Sequence, residues 1–194
     1  MRIPPNLPEP PAEVDLVLAT EAATQFLKAL GLDVGDESTA DTPTRMARAY
    51  AELLAPRPFE LTTFPNDAGY RHLVLQRRIP LRSLCEHHLL PFVGTVDVAY
   101  VPGERIVGLS KLSRLVEAFA MRPQVQERLT EQIAAFVDAE LVARGVGVLV
   151  RAEHTCLTLR GAGTPGVETV TLALRGCVEC DKHLRREFLQ LTRV

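Results

Sequence analysis

The period of the apolar residues changes along the chain, and each change predicts a new structural element. Apolar side chains recur at roughly helical spacing over residues 14–31, and Gly31 is expected to end that helix. A second helix is predicted over 38–54, with Thr42 as its N-cap and Pro43 in its first turn. The chain is therefore expected to begin with a pair of helices.

Alternation with a period of two replaces the helical period from residue 73. The segment "LVLQRRIPL" and the alternating "TVDVAYV" predict two adjacent strands. Two helices follow, the first with Ser110 as its N-cap and the second carrying apolar residues over 125–137. After Gly145 the strand pattern returns in "VGVLVRAEHTCLTL" and "ETVTLALRG", and "HLRREFLQL" predicts a C-terminal helix.

This order of elements predicts an α+β fold. We expect an antiparallel four-stranded sheet with a helix pair between the two strand pairs. Residues 1–13 are rich in proline and are predicted to form a flexible tail. The remainder, 14–194, is expected to be one domain, with N-terminal helices over 14–55 and a core over 73–194.

Composition and charge narrow the class of protein. The chain of 194 residues is 46% hydrophobic and 24% charged, which is ordinary for a globular protein. Its formal net charge of -2 argues against nonspecific nucleic-acid binding. No apolar run approaches the ~20 residues of a membrane span, and the start lacks the apolar stretch of a secretory signal. We therefore expect a cytoplasmic protein with no membrane partner, whose four cysteines are metal ligands or buried thiols.

Two segments containing cysteine and histidine are the candidates for metal chemistry. In "SLCEHHLLPF", Cys85 and His88 are three residues apart, a spacing at which one turn directs both at a single ion. In "AEHTC", His154 and Cys156 would share one face of a predicted strand. Cys85, His88 and Cys156 would supply three ligands and leave a fourth position for water, the pattern of catalytic zinc.

The other two histidines of these segments are available for proton transfer. His87 is expected to point away from the metal because adjacent side chains diverge, and His154 is either a fourth ligand or a second free imidazole. Zinc lowers the pKa of bound water, so the pattern favours a hydrolytic site. Each residue alone is equally typical of a buried thiol or a hydrogen-bonded core imidazole; it is the two segments together that favour a metal.

The sequence lacks the motifs of two known classes of zinc enzyme. There is no His-Glu-x-x-His segment, which argues against a zincin protease. No histidine is followed two residues later by glutamate, which argues against a nucleobase deaminase.

Two further segments suggest binding sites, one for an anion and one for a heterocycle. "GLSKLSRLVEAF" places Ser110, Lys111 and Arg114 in the first turn of a helix, where backbone N–H groups and cations favour an anion such as phosphate. In "PQVQERLT", Gln126 and Glu127 would bind a heterocycle, since a carboxylate accepts two N–H bonds from the edge of guanine. A solvated helix face and an ordinary polar helix start are the simpler alternatives.

Taken together, these segments resemble the GTP cyclohydrolase I family. The similarity is carried by "DTPTRMARAYAELL", "SLCEHHLLPFVG", "YVPGERIVGLSKLSRLVEAFAMRPQVQERLTEQIA", "AEHTCLTLRG" and "RREFLQL", in the order and spacing of that family. It covers roughly residues 40–192, and several independent motifs must agree for it to arise.

The resemblance implies a role for each matching position. The zinc ligands would be Cys85, His88 and Cys156. His87 would protonate the imidazole ring of guanine, and His154 would be a second proton-transfer residue. The remaining matches concern the nucleotide: Gln126 and Glu127 for guanine, Ser110 for the ribose, Lys111, Arg114 and Arg160 for the triphosphate, and Arg45 for the triphosphate from a neighbouring subunit.

The resemblance also implies a reaction and an assembly. GTP would be hydrolysed at C8 with release of formate to give 7,8-dihydroneopterin triphosphate, the first step of tetrahydrofolate and pterin biosynthesis. The chain would adopt the tunnelling fold and form a homodecameric ring with active sites at subunit interfaces. A paralogue serving specialised metabolism and a catalytically inactive nucleotide-binding protein are the alternatives, and the retained proton-transfer histidines argue against the second.

The chain departs from the family pattern in places. Thr164 stands where many members carry lysine, which puts one phosphate contact in doubt. In "CVECDKH", Cys177, Cys180 and His183 replace a stretch that usually contains phenylalanine. These three residues would bind a second metal or form a disulfide, but we favour isolated thiols and a surface histidine, because the zinc site is complete without them.

Overall fold

The computed structural model describes residues 13–193, so most of the predicted proline-rich tail lies outside the described residues. The chain divides into two compact units at Pro56 and Arg57. We refer to the described residues before this point as the N-terminal unit and those after it as the C-terminal unit. In the described chain, no helix is long and apolar enough to cross a membrane.

The N-terminal unit is a pair of packed helices, α1 (Leu16–Ala29) and α2 (Thr42–Leu53). Asp15 caps α1, because its carboxylate accepts a hydrogen bond of 2.9 Å from the backbone N–H of Leu18. The predicted N-cap of α2 is wrong by one residue: Asp41 occupies it, and Thr42 is the first helical residue. Pro43 lies in the first turn as expected. A proline is tolerated there because the N–H groups of the first turn have no acceptor within the helix.

The C-terminal unit is built on a long hairpin and the strands that extend it. Its strands are β1 (Thr63–Pro65), β2 (Val74–Cys85), β3 (Pro91–Val101), β4 (Arg105–Val107), β5 (Pro123–Gln124), β6 (Gly145–His154) and β7 (Thr169–Gly176). Its helices are α3 (Leu109–Ala120), α4 (Gln126–Leu141), α5 (Thr155–Thr158), α6 (Cys177–Cys180) and α7 (Lys182–Leu191).

The main sheet has five strands in the order β5-β2-β3-β6-β7, and β1 pairs separately with β4. The four long strands are antiparallel neighbours, which confirms the predicted α+β class and the antiparallel sheet. The prediction of four strands missed β5, which pairs in parallel with the end of β2 over two positions. A two-residue strand leaves no periodic signal in a sequence.

One further helix start and one strand end differ from the predictions. The N-cap of α3 is Gly108, not Ser110, although Ser110 does lie in the first turn. Strand β6 ends at His154, and Cys156 lies in the short helix α5. His154 and Cys156 therefore do not share the face of one strand, as the alternation had predicted, because the backbone turns between them.

The apolar residues form one core on each face of the sheet. Helices α3 and α4 cover one face, where Phe92, Leu115 and Ile133 are fully buried. The C-terminal helices cover the other face with a smaller core around Val178 and Phe188. The ring of Phe188 lies over Gly147, where an added Cβ would come within 3.1 Å of it. This second core fixes α6 and α7 at the end of the sheet where β6 begins.

An ion pair ties the start of the C-terminal unit to α3. The guanidinium of Arg57 donates hydrogen bonds to the carboxylate of Glu117, including one of 2.8 Å from Nε. These bonds hold the pKa of Glu117 below its usual value, against a smaller opposing effect of burial.

Candidate metal centre and active-site cavity

The turn between β2 and β3 brings Cys85 and His88 together. The backbone N–H of Cys85 donates to the carbonyl of Leu90 (2.8 Å), and those of His88 and Leu89 donate to the carbonyl of Cys85 (3.2 and 2.7 Å). Leu89 adopts a left-handed conformation (φ 53°), which lets the chain reverse. As a result the Sγ atom of Cys85 lies 3.6 Å from Nδ1 of His88.

Helix α5, which directly follows β6, brings Cys156 to the same place. His154, the residue before α5, is the register partner of Phe92 near the start of β3. The hydroxyl of Thr155 donates to the carbonyl of Pro91 (2.5 Å), which ties α5 to the end of the β2–β3 turn. The ligand atoms of Cys85, His88 and Cys156 all lie within 4.8 Å of one another.

This donor set is suited to a soft or borderline divalent cation. Burial raises the pKa of the Cys156 thiol, and the adjacent Cys85 raises it further. Two thiols and an imidazole so close together cannot all become good ligands without a positive charge between them, because the two thiolates would repel each other. A metal ion supplies that charge, and two thiolates with one imidazole are typical of sites with an open coordination position.

His87 points away from the three clustered donors. Its ring is nearly perpendicular to that of His88 (88°), with 6.3 Å between the ring centroids. Its side chain is 67% exposed, and its Nε2 lies 3.7 Å from Oε1 of Glu86. His87 still lines the same cavity as the donors. The adjacent His87 and His88 thus present their rings to different parts of the same cavity.

Hydrogen bonds fix the tautomer of His154. The side-chain amide nitrogen of Gln126 donates to two backbone carbonyls, of Thr169 (3.0 Å) and Val150 (3.3 Å). A carbonyl only accepts, so the amide oxygen of Gln126 must be the atom that faces Nε2 of His154, at 2.7 Å. An amide oxygen also only accepts, so His154 carries a proton on Nε2, and Nδ1 is its other titrating atom.

The position of the His154 ring is fixed by packing as well. It stacks on the ring of Phe92, with 4.4 Å between centroids and 9° between planes. Burial lowers the pKa of His154, and the charge of Glu127 opposes that shift. Gln126 itself is 1% exposed, so the whole arrangement is held from inside the protein.

A cavity of about 310 Å³ joins these groups, a size typical of small-molecule sites. Its walls combine the three clustered donors with the two other histidines and with the start of α4. The lining residues are Cys85, His87, His88, Gln124, Val125, Gln126, Glu127, His154, Cys156, Leu157 and Thr169. Metal-ligating, proton-transferring and heterocycle-binding candidates therefore meet in one space.

The predicted phosphate-binding residues of α3 do not line this cavity. Ser110 and Lys111 lie in the first turn of α3, but Arg114 lies in its second turn, so the prediction that Arg114 belongs to the first turn is wrong. The other end of α3 leads into β5, beside Cys85. A twelve-residue helix separates its two ends by about 18 Å. In agreement, the side chain of Gln76, near the far end of β2, donates to Ser113 (2.9 Å).

The two remaining predicted cations lie elsewhere. Arg160 follows α5 and is close enough to Cys156 to oppose the rise in the pKa of that thiol. Arg45 belongs to α2 in the N-terminal unit, where its guanidinium pairs with Asp41 at 3.1 Å. Within a single chain, then, the guanine and metal candidates are gathered, and Ser110, Lys111 and Arg114 are held apart from them.

Sequence reasoning left four neighbours of the cavity without a role. Arg128 forms an ion pair with Glu86, and the buried Gln124 bonds to Arg128. Phe92 supports the ring of His154. The polar run "PQVQERLT" was a usable signal for Gln124 and Arg128, because it carries more hydrogen-bonding groups than a solvated helix start needs, but only the fold shows what they face.

The family model and the curated relatives that match this chain point to the same family. The family model described as GTP cyclohydrolase I matches residues 19–193. The chain is 48% identical to the GTP cyclohydrolase 1 of Aquifex aeolicus (strain VF5) over 180 residues, which are 93% of this chain and 98% of that protein. It is 43% identical to the GTP cyclohydrolase 1 of Hydrogenobaculum sp. (strain Y04AAS1), again over 93% of this chain and 99% of the relative.

A further relative gives the same result. The GTP cyclohydrolase 1 of Thermobifida fusca (strain YX) is 45% identical over 186 residues, covering 93% of this chain and 90% of that protein. Among solved structures, an archaeosine synthase QueF-Like in the apo form has a TM-score of 0.45 and 21% identity, covering 54% of this chain and 93% of that one. That likeness is too weak to support a conclusion about this chain.

Proposed function

We infer that this chain, which belongs to the GTP cyclohydrolase I family, is itself a GTP cyclohydrolase I. It hydrolyses GTP at C8, releases formate and produces 7,8-dihydroneopterin triphosphate, the first step of tetrahydrofolate and pterin biosynthesis. The observation that carries this function is the single cavity in which Cys85, His88 and Cys156 meet two further histidines and Glu127.

The metal that we propose is zinc, held by Cys85, His88 and Cys156. Two thiolates and one imidazole are ligands that zinc prefers, and a site with three protein ligands keeps a position open. When bound there, zinc supplies Lewis acidity that makes a water molecule nucleophilic at neutral pH. The protein contributes the preformed geometry, because the backbone hydrogen bonds of the β2–β3 turn and of α5 hold the donors close together.

The two histidines outside the metal group are proposed to move protons. His87 donates a proton to the imidazole ring of guanine as it opens, since it lines the cavity and is exposed to an incoming ligand. His154 exchanges protons at Nδ1, because Gln126 occupies its Nε2. Stacking on Phe92 keeps this ring from rotating during the reaction.

Glu127 is proposed to recognise guanine, because a carboxylate matches the pair of N–H groups on the edge of that base. It lies in the first turn of α4 and lines the cavity. Gln126 is the other predicted guanine contact. Its side-chain amide is engaged in internal hydrogen bonds, so a direct contact with the base requires Gln126 to exchange one of them.

The triphosphate and ribose contacts are proposed to come in part from another copy of the chain. Ser110 would contact the ribose, and Lys111, Arg114, Arg160 and Arg45 the phosphates. The start of α3, with Ser110 and Lys111, lies about 18 Å from the end that borders the cavity. Arg114, in the middle of the helix, does not line the cavity of its own chain either. A ring of identical chains, which we propose to be a homodecamer of the tunnelling fold, would complete each site at an interface.

Exposed apolar surface in the N-terminal unit supports an assembly. A groove of about 390 Å³ between α1 and α2 is lined by Phe26, Met46, Tyr50 and other mostly apolar residues. Leu16, Val17 and Leu18 are also exposed on α1. Apolar patches of this kind are typical of surfaces that a partner covers. We propose that the assembly works in the cytoplasm.

The function is tested with zinc-loaded protein and GTP. Formate should be released, and oxidation followed by dephosphorylation of the product should give fluorescent neopterin. Absence of formate from a homogeneous, zinc-loaded oligomer would refute the assignment.

Sharing of sites is tested by mixing two inactive variants. Cys156→Ala and Lys111→Ala chains, co-expressed, should regain activity in mixed rings, because some sites combine an intact metal half with an intact phosphate half. If the mixed oligomers stay as inactive as the parent variants, each chain builds its own complete site.

A further inference from the structure

Glu86 lies between Arg128 and His87, and each of its two carboxylate oxygens faces one of them. Its Oε2 atom forms an ion pair with Nη2 of Arg128. Its Oε1 atom lies 3.7 Å from Nε2 of His87. The carboxylate is therefore oriented by Arg128 in such a way that its second oxygen faces the imidazole.

Arg128 is itself braced from the protein interior. Its Nε donates a hydrogen bond of 3.0 Å to the amide oxygen of Gln124. Gln124 is 2% exposed, and its amide nitrogen donates to the carbonyl of Phe119 and to the side chain of Gln132, both at 2.9 Å. The carbonyl of Gln124 also accepts the backbone N–H of Glu86 at 3.1 Å. A continuous series of polar contacts thus runs from the buried Gln124 to the carboxylate beside His87.

His87 needs such a support more than His154 does. Its side chain is 67% exposed, so packing does not hold its ring as Phe92 holds the ring of His154. The distance of 3.7 Å is longer than a hydrogen bond. Catalytic contacts are commonly loose without substrate and tighten when the substrate binds.

We propose that Glu86 and Arg128 are positioning residues for His87. Arg128 fixes the carboxylate of Glu86, and Glu86 directs Nε2 of His87 away from the substrate, which leaves Nδ1 as the ring nitrogen that faces it. The inference rests on the proposed function, because it assumes that His87 transfers a proton. It gives Glu86 the role that the sequence motif left open.

The decisive variant is Glu86→Gln. A glutamine keeps the size of the side chain and an oxygen for Arg128, but it turns N–H groups towards Nε2 of His87 and so reverses the polarity that orients the ring. We expect kcat for formate release to fall about 10- to 100-fold, the usual cost of removing an orienting partner. The KM for GTP should stay within about 3-fold and zinc content should stay unchanged, since the lost interaction acts on the reacting state rather than on binding.

Two further variants separate positioning from general structure. Arg128→Lys keeps the charge but loses the Nε bond to Gln124, so its kcat should fall between those of the wild type and Glu86→Gln. Glu131→Gln is the matched control, because Glu131 is also on α4 and pairs with Arg175 (3.0 Å) outside the cavity lining. It should leave kcat and KM unchanged.

Each other outcome overturns the inference in a recognisable way. A raised KM with normal kcat in Glu86→Gln would make Glu86 a binding residue, and loss of zinc would make it a support of the metal turn. Equal activity of Glu86→Gln and Glu131→Gln would leave Glu86 without a role in the reaction. If the zinc-loaded wild type released no formate, the proposed function would fail instead, so the two failures are distinguishable.

Discussion

Two turns that contain cysteine lie at opposite ends of the main sheet, and they differ in what surrounds the thiols. At one end, Cys85 closes β2 near the position where Phe92 pairs with His154. At the other end, Cys177 and Cys180 form the single turn of α6, just after Gly176 pairs with Gly145. All four cysteines are free thiols.

Cys177 and Cys180 are close in sequence, but they do not belong to the group of side chains that could hold a metal. Cys180 is exposed, whereas Cys177 packs into the small core beside α7. Burial raises the pKa of Cys177, and the nearby Arg144 opposes this shift. Among the described residues, the metal-capable group is formed by Cys85, His88 and Cys156, which are far apart along the chain. Convergence of three donors in space, rather than a short Cys-x-x-Cys motif, is what distinguishes the two ends.

The largest expected effect comes from removing a donor at the first end. Cys156→Ala should lose bound zinc and reduce formate release about 10³-fold or more, because the Lewis acid contributes several kcal/mol to the reaction. Metal analysis and the formate assay measure the two effects. Cys180→Ala is the matched control at the second end and should keep both. Retention of stoichiometric zinc by Cys156→Ala would contradict the ligand assignment.

The next effect divides the first end into metal and proton-transfer halves. His87→Ala should keep zinc and lose about 10²- to 10⁴-fold in kcat, the usual contribution of a general acid. His88→Ala, its neighbour, should lose the metal. Metal content measured on purified oligomers separates the two. The reverse pattern, with zinc lost from His87→Ala and kept by His88→Ala, would exchange their roles.

At the second end the expected effect is on stability rather than on chemistry. In Gly145→Ala the new Cβ would lie 2.7 Å from Sγ of Cys177 and 2.7 Å from the backbone nitrogen of Val178. Overpacking of this kind costs about 1–3 kcal/mol, which a lower urea midpoint of unfolding would report. Adding Cys177→Ala should restore only part of the loss, since the clash with the backbone remains. An unchanged urea midpoint would contradict this prediction, because it would mean that α6 shifts to make room for the new Cβ with no loss of stability.

The smallest effect is expected for the exposed thiol at the second end. Cys180→Ser should change the free energy of unfolding by less than about 0.5 kcal/mol, because surface substitutions away from special contacts are nearly neutral. Its zinc content and kcat should equal those of the wild type. A fall in zinc content would show that the second turn binds metal after all, and would remove the contrast between the two ends.

The sequence predicted most elements of the fold because their side chains repeat with a clear period. The strands before Val101, the helices on either side of residue 125 and the C-terminal helix all occur where the pattern placed them. The errors fall where no period exists: the two-residue strand β5 and the break between β6 and α5 at His154. Such short features depend on tertiary hydrogen bonds, which a local pattern does not carry.

The sequence alone also predicted which residues carry the chemistry, because thiols and imidazoles at turn spacing have few other uses as a group. Tertiary structure decided what each of them faces. It gathered Cys156 with Cys85 and His88, and it fixed the proton of His154 on Nε2 through the buried Gln126. It also placed Ser110 and Lys111 at the far end of α3 and kept Arg114 out of the cavity lining. Residue type sets what a side chain can do, but distance and hydrogen-bond direction are set by segments that meet only after folding.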